Sequence, residues 1–169
     1  MDVVDPRDRF DDVLTERCIE PVDAGAFEWI ANSEAADSGW VASALAIDPG
    51  GRVLLVYDEI DESWMAPGGT AQPGESLKEA VIREVHEETA VEIEPIRPEF
   101  VRELEFHHRD RQTSFTFVFY SAKAPAKEPR ITAEAEDELA DVGWFDELPE
   151  DTEEREGTAT ILERARSRR

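Results

Sequence analysis

The hydrophobic positions of the first twenty residues recur every three or four residues, which is the spacing of one helix face. These positions are Phe10, Val13, Leu14 and Cys18. Pro21 ends the run, because proline interrupts a helix interior. A second short helix is predicted over 26–31, followed by a polar connector over 33–39. Residues 1–39 are therefore predicted to form a helical extension packed on the rest of the chain.

From residue 40 onwards, strand-like runs surround one strongly periodic helix. Strands are predicted over 40–48, 52–59, 99–108, 113–122 and 142–145, and helices over 77–89 and 158–165. The segment 61–74 is rich in proline and glycine and is predicted to be a loop. Ser76 and Glu79 form a capping-box pattern at the start of the first helix. This order of elements predicts an α+β fold.

Three glutamates of the 77–89 helix share one side of it. At about 100° per residue, Glu84, Glu87 and Glu88 fall within an arc of about 100°, at the edge of the apolar face. Like charges at these spacings repel each other. Clustered carboxylate oxygens are hard ligands that suit Mg²⁺ or Mn²⁺, which would offset the repulsion. The alternative interpretation is a solvated acidic surface.

The composition narrows the classes of function. The chain has 169 residues, of which 40% are hydrophobic, enough for one sizeable core. With 41 acidic against 18 basic residues the net charge is −23, which disfavours nucleic-acid binding. The single cysteine excludes an intramolecular disulfide. There is neither a signal-peptide pattern nor an apolar run of about 20 residues, so we expect a cytoplasmic protein without membrane contact.

The basic residues are 15 arginines and only three lysines. Sparse lysine combined with a dense carboxylate surface resembles proteins from salt-loaded cytoplasm, where concentrated cations screen the self-repulsion. We therefore put forward the hypothesis of a halophilic protein. The alternative is an ordinary, very acidic protein.

The glutamate stripe belongs to a longer pattern. The segment 69–91 matches the Nudix box, G-x5-E-x7-R-E-U-x-E-E-x-G-U with U apolar, and the preceding Trp64-Met65-Ala66-Pro67-Gly68 resembles the usual W-x-x-P-G-G entry. The matching residues are Gly69, Glu75, Arg83, Glu84, Val85, Glu87, Glu88 and Val91. Ala90 departs from the pattern, which has glycine there, and a slightly different helix exit is expected. The chain therefore resembles Nudix hydrolases, in particular the MutT-like group.

The resemblance implies a fold and a metal site. It implies the Nudix fold, a mixed β-sheet between helices (α/β/α), with the Nudix domain over 40–169. The implied cofactor is Mg²⁺ or Mn²⁺, and the implied metal ligands are Glu84, Glu87, Glu88 and the backbone carbonyl of Gly68. Arg83 is expected to orient the carboxylates and Glu75 to hold Arg83 in place. Gly69 is expected to let the loop backbone approach metal and phosphate.

The identity of the general base stays open at this point. Glu84 is one choice, while many family members use a glutamate from a later loop. Here that loop offers Glu134, Glu136 and Glu138, and Glu138, six residues before Trp144, fits the usual offset best. The alternative for these residues is a solvated acidic loop.

The resemblance implies hydrolysis of a pyrophosphate linkage in a nucleoside diphosphate derivative. A MutT-like nucleoside triphosphate pyrophosphohydrolase is the first interpretation. The alternatives are an ADP-ribose or dinucleoside polyphosphate pyrophosphatase and, from another class, a non-catalytic nucleotide-sensing module. The expected partner is a small nucleotide, and a homodimer is common in the family. Three alternating phenylalanines, Phe115, Phe117 and Phe119, could stack a base, although core packing is the commoner role of such a stripe.

Overall fold

The chain forms one eight-stranded mixed sheet with helices on both faces. The computed structural model describes residues 3–168, so the outer ends of the predicted ranges 1–39 and 40–169 lie outside the described residues. The strands are β1 (Leu14–Pro21), β2 (Trp40–Ile47), β3 (Val53–Asp58), β4 (Ser63–Met65), β5 (Gly68–Thr70), β6 (Glu94–His108), β7 (Arg111–Lys123) and β8 (Leu139–Phe145). The helices are α1 (Ala24–Ala31), α2 (Glu34–Ser38), α3 (Leu77–Thr89) and α4 (Arg155–Ser167), with a 3-10 turn at Pro6–Asp8.

The strand order is β1-β6-β7-β2-β3-β4, with β5 paired to β2 and β8 paired to β3. The β1–β6 and β2–β7 pairs are parallel, and the β6–β7 and β2–β5 pairs are antiparallel. The β2–β5 pair places Gly68 beside Ser43 and Gly69 beside Ala42. The loop that begins the box is therefore held against the central strand.

Strand alternation divides the core between the two faces of the sheet. On β2, Ala44 packs in the cluster that contains Val81 and Val85 of α3, while the next residue, Leu45, packs with Ile161 of α4. Successive side chains of a strand point to opposite faces, so one strand serves both layers. The predicted α+β Nudix fold, with the sheet between helices, is confirmed. Within the described residues, no helix combines the length and apolar character that crossing a membrane requires.

The helix predicted across residues 10–18 is wrong, because strand β1 begins at Leu14 within that range. β1 pairs in parallel with β6, from Leu14 beside Phe100 to Pro21 beside His107. A spacing of four residues keeps Leu14 and Cys18 on one side of a strand as well as on one side of a helix, so the pattern did not separate the two structures. The helix predicted at 26–31 is confirmed as α1, whereas the connector at 33–39 contains α2. The domain division at residue 39 stays a prediction.

Helix α3 has the predicted bounds, and both hydrogen bonds of its capping box are present. It ends at Ala90, whose backbone is left-handed with φ 61° and ψ 13°. Glycine is the usual residue in this conformation because it lacks a Cβ. The Ala90 amide still donates to the carbonyl of His86, at 2.9 Å. The slightly different helix exit expected at Ala90 is therefore not found, and alanine makes the exit that glycine usually makes. The segment predicted as a loop over 61–74 also contains the short strands β4 and β5.

Candidate active site

Arg83 gathers the carboxylates of the box around one guanidinium group. Its Nε and Nη2 donate to the two oxygens of Glu75, at 2.6 and 3.0 Å. Its Nη1 donates to Glu84 Oε1 at 2.7 Å and to Glu87 Oε2 at 3.2 Å. Nη2 also donates to the carbonyl of Thr70, at 3.1 Å, which ties the helix to the preceding loop. These contacts place Arg83 and Glu75 where the resemblance expects them, while their catalytic roles stay predictions.

Glu88 is the most deeply placed carboxylate of the stripe. Its side chain is 7% exposed, and its Oε2 accepts a hydrogen bond from the Gly68 amide at 3.1 Å. Burial, together with the negative charges of Glu84 and Glu136, raises the pKa of Glu88 to about 8 in spite of the hydrogen bond from the Gly68 amide. The carboxylate therefore lies against the loop whose carbonyl the resemblance expects as a ligand.

Two glycines bring the loop backbone into contact with its surroundings. A Cβ added at Gly69 would lie 2.4 Å from Cδ and Oε2 of Glu84, so the carboxylate occupies the space that a side chain would need. A Cβ at Gly68 would lie 2.3 Å from the carbonyl oxygen of Ala42. Partial burial raises the pKa of Glu84, in spite of its hydrogen bond from Arg83. The close approach expected for Gly69 is thus toward Glu84.

The acidic loop before β8 reaches the same region through Glu136. Its charge raises the pKa of both Glu84 and Glu88. Partial desolvation, followed by the charge of Glu138, raises the pKa of Glu136 itself, although its side chain is exposed. The carbonyl of Glu138 accepts a hydrogen bond from the Glu59 amide at 2.8 Å, which fixes the loop to the end of β3.

The donor set fits a hard divalent cation. Glu84, Glu87 and Glu88 each use one oxygen in the hydrogen bonds given above, and we find no donor in residues 3–168 for the other oxygen of any of them. Carboxylate oxygens are the preferred ligands of Mg²⁺ and Mn²⁺. As the side chains stand, no three acidic, His or Cys side chains within residues 3–168 converge enough to hold an ion jointly. Binding would therefore require rotation of these flexible side chains.

Two cavities lie on opposite faces of the sheet, and box carboxylates line the first of them. A cavity of about 550 Å³ lies on the α3 side, and its lining includes Glu84, Glu75 and Trp40. A cavity of about 350 Å³ on the other side of the sheet is lined by Met65, Glu153 and four phenylalanines. Three of these are Phe115, Phe117 and Phe119 of β7, and each of the three is half-buried rather than part of the closed core. Burial raises the pKa of Glu153 in this cleft.

The comparisons with known proteins identify the family of the chain. The family model described as NUDIX domain matches residues 37–164, so the chain belongs to the NUDIX family. A MutT NUDIX hydrolase from Burkholderia pseudomallei is 26% identical, with a TM-score of 0.54 over 73% of this chain and 95% of that one. An ADP-ribose pyrophosphatase from Streptococcus suis is 23% identical, with a TM-score of 0.54 over 78% of this chain and 95% of that one, which shows the fold.

One curated relative is the 8-oxo-dGDP phosphatase NUDT18 of Danio rerio, 30% identical over 110 residues. The match covers 63% of this chain and 32% of that protein, so this chain spans about a third of the relative's length. These names are those of phosphatases, pyrophosphatases and hydrolases of nucleotide derivatives. The prediction of the NUDIX family is thereby confirmed, and the activity of this chain stays a prediction.

Sequence reasoning missed two parts of the region. The phenylalanine cleft includes Glu153 and Glu154, which lie just before α4 and more than thirty residues after Phe119 in the chain. The 550 Å³ cavity is bordered by α2, which was predicted as a connector. Period-two alternation on β7 did identify the phenylalanines, but it could not reveal what faces them across the cleft.

Proposed function

We propose that this chain is a metal-dependent hydrolase that cleaves a phosphoanhydride bond in a nucleoside diphosphate derivative. The observation that carries the proposal is the cluster around Arg83. One guanidinium holds Glu75, Glu84 and Glu87 together, while Glu88 is buried against the Gly68 amide. A non-catalytic sensing module would not need this complete set of box carboxylates.

The residues that would hold the cation are Glu84, Glu87, Glu88 and the carbonyl of Gly68. Mg²⁺ or Mn²⁺ would supply neutralisation of the phosphate oxygens, which otherwise repel an incoming nucleophile. Arg83 is fixed by two hydrogen bonds from its guanidinium to Glu75 and so orients Glu84 and Glu87. Removing Glu75 would free Arg83 and let both carboxylates drift.

The proton of the attacking water goes to a glutamate carboxylate as the water approaches phosphorus in line. Glu84 and Glu138 are the bases favoured by the sequence. Glu136 is a third candidate, because its negative charge raises the pKa of both Glu84 and Glu88. Replacing each of the three with glutamine and comparing the pH dependence of kcat identifies the base.

For the substrate, we propose that the phenylalanine cleft receives the nucleoside. Aromatic faces stack on bases, and the cleft adjoins the box entry through Met65 and Ala66. Nucleoside triphosphates, as cleaved by the MutT-like group, are the first class to assay. ADP-ribose and oxidised guanine nucleotides follow, because relatives of this chain carry those names.

The test is a phosphate-release screen over these nucleotides in molar KCl with Mg²⁺. We expect Glu84→Gln and Glu88→Gln to lower turnover by at least about a hundredfold and to weaken Mn²⁺ binding measured by calorimetry, because neutral amides are poor ligands. Glu79→Gln is the matched control, since this exposed residue of the same helix keeps its capping bond as glutamine. Near-native turnover in both site variants, or activity that survives exhaustive chelation, would refute the proposal.

A further inference from the structure

An open cavity of about 890 Å³ lies between α1–α2 and the acidic loop before β8. Its lining includes Trp29, Ile60 and Glu136. It shares Glu34 and Thr70 with the 550 Å³ cavity that contains Glu84. The two cavities are therefore neighbours, and together they form one depression, here called the distal trench, leading from the box carboxylates to Trp29.

Two large apolar side chains are exposed in this trench. Trp29 is 78% exposed and Ile60 is 74% exposed, the highest values among the large hydrophobic side chains of the described residues. Their exposure is not the result of a loosely held helix. Phe27, two residues from Trp29, is 2% exposed and is covered by Arg111, whose guanidinium lies 4.5 Å from the ring centre. Helix α1 is thus anchored by one aromatic residue and presents another to solvent.

The charged side chains that line the trench are all acidic, although Arg83 is paired with two of them, Glu75 and Glu84. Among the lining residues that the structure describes, none is lysine, arginine or histidine. The acidic ones are Glu34, Asp37, Glu59, Glu75, Glu84, Glu136, Asp137 and Glu138. A free terminal phosphate placed among these carboxylates would be repelled, whereas an uncharged ring would not. Aromatic and apolar side chains cover such rings favourably.

We propose that the distal trench binds the group attached to the phosphate farthest from the nucleoside, and that this group is an uncharged ring-bearing glycosyl group covered by Trp29 and Ile60. This inference rests on the proposed function. The preferred substrate is then a diphosphate esterified at both ends, such as ADP-ribose, rather than one that ends in free phosphates, such as ATP. The selectivity comes from residues outside the box.

The experiment compares kcat/KM for ADP-ribose and for ATP in molar KCl with Mg²⁺. We expect the wild type to prefer ADP-ribose, and Trp29→Ala to lower its kcat/KM about tenfold, mainly through KM, as loss of one ring-stacking contact does. The ratio of the ADP-ribose value to the ATP value should fall with it. Ile19→Ala is the control, because Ile19 is 55% exposed on β1 and is absent from the trench lining. Glu59→Lys should raise kcat/KM for ATP by adding a cation to the trench.

Binding is measured separately, by calorimetry of ADP-ribose with Glu84→Gln protein, so that turnover does not interfere. An affinity about tenfold weaker in Trp29→Ala/Glu84→Gln supports the trench assignment. Equal affinity with and without Trp29, or an unchanged ADP-ribose to ATP ratio, overturns it. If the wild type hydrolyses neither nucleotide and no other diphosphate, the proposed function fails, and the calorimetric comparison still decides whether the trench binds the glycosyl group.

Discussion

The contact between Gly69 and Glu84 allows one side chain of the site to be displaced without removing it. In Gly69→Ala the new methyl group would stand 2.4 Å from the Glu84 carboxyl carbon, against an ordinary separation of about 3.5 Å. The carboxylate must therefore move by about 1 Å. Misplacement of a reacting or ligating group by about 1 Å costs on the order of a hundredfold in rate.

The fold should tolerate this substitution. The obstructing atoms belong to the end of a flexible side chain, and an off-rotamer glutamate costs about 0.5–1.5 kcal/mol. We expect kcat/KM to fall about a hundredfold while the free energy of unfolding drops by about 1 kcal/mol. The assays are phosphate release on the nucleotide panel and urea unfolding followed by circular dichroism.

A second glycine provides the control. In Gly143→Ala, on β8, the added methyl group would meet Phe145 at 3.4 Å, an ordinary contact, so activity and stability should both stay near wild type. Wild-type turnover in Gly69→Ala would show that the Glu84 carboxylate is not needed where the structure places it. Loss of the folded circular dichroism spectrum would show that the substitution displaces the backbone of the loop at residue 69 rather than the side chain of Glu84.

Two further predictions concern stability. Glu99 is fully buried and accepts hydrogen bonds from Ser121, Arg164 and Arg168, so Glu99→Gln should cost about 2 kcal/mol, a fall in Tm of about 4–8 °C at pH 7. Burial alone would raise the pKa of Glu99, but these hydrogen bonds hold the pKa below its ordinary 4.5. The stabilisation by Glu99 is therefore present above pH 4.5 and is lost as the pH falls through the pKa of Glu99 in the folded protein. The Tm values of wild type and variant should converge at that low pH. An equal Tm at pH 7 would contradict this. Because the net charge is −23, Tm should also rise steeply from low to molar KCl, and a flat salt response would remove the halophilic hypothesis.

The box helix could be predicted because its signals are local. The capping residues, the apolar face and the acidic stripe all fall within 23 residues. The hydrogen bonds that Arg83 makes to Glu75, Glu84 and Thr70 span at most 13 positions of the chain. Hydrogen bonds of that range depend little on how the rest of the chain folds. The helix exit at Ala90 was predicted less well, because alanine adopts the αL conformation that glycine usually takes and not the slightly different exit that was expected.

Strand β1 could not be predicted in this way. Its first residue, Leu14, pairs with Phe100, which lies 86 positions later along the chain. Six of the eight residues of β1 are exposed, so the strand carries no inward–outward alternation. The choice among glutamates of the acidic loop failed to resolve for a related reason. Counting back from Trp144 selects Glu138, whereas the residue of this loop whose charge raises the pKa of Glu84 and Glu88 is Glu136, and the path of the loop decides this.

The arrangement around Arg83 explains how a repulsive cluster is kept ready for a cation. Glu75 occupies one edge of the guanidinium group, Nε and Nη2, so Nη1 is left to hold one oxygen each of Glu84 and Glu87. One positive charge therefore faces three carboxylates. Glu88 adds a fourth carboxyl group, whose pKa is raised first by burial and then by the charges of Glu84 and Glu136. A divalent cation that took the remaining oxygens would not need to displace Arg83. It follows that losing Glu75 should weaken metal binding even though Glu75 touches no metal, because Arg83 would then be free to claim both oxygens of Glu84.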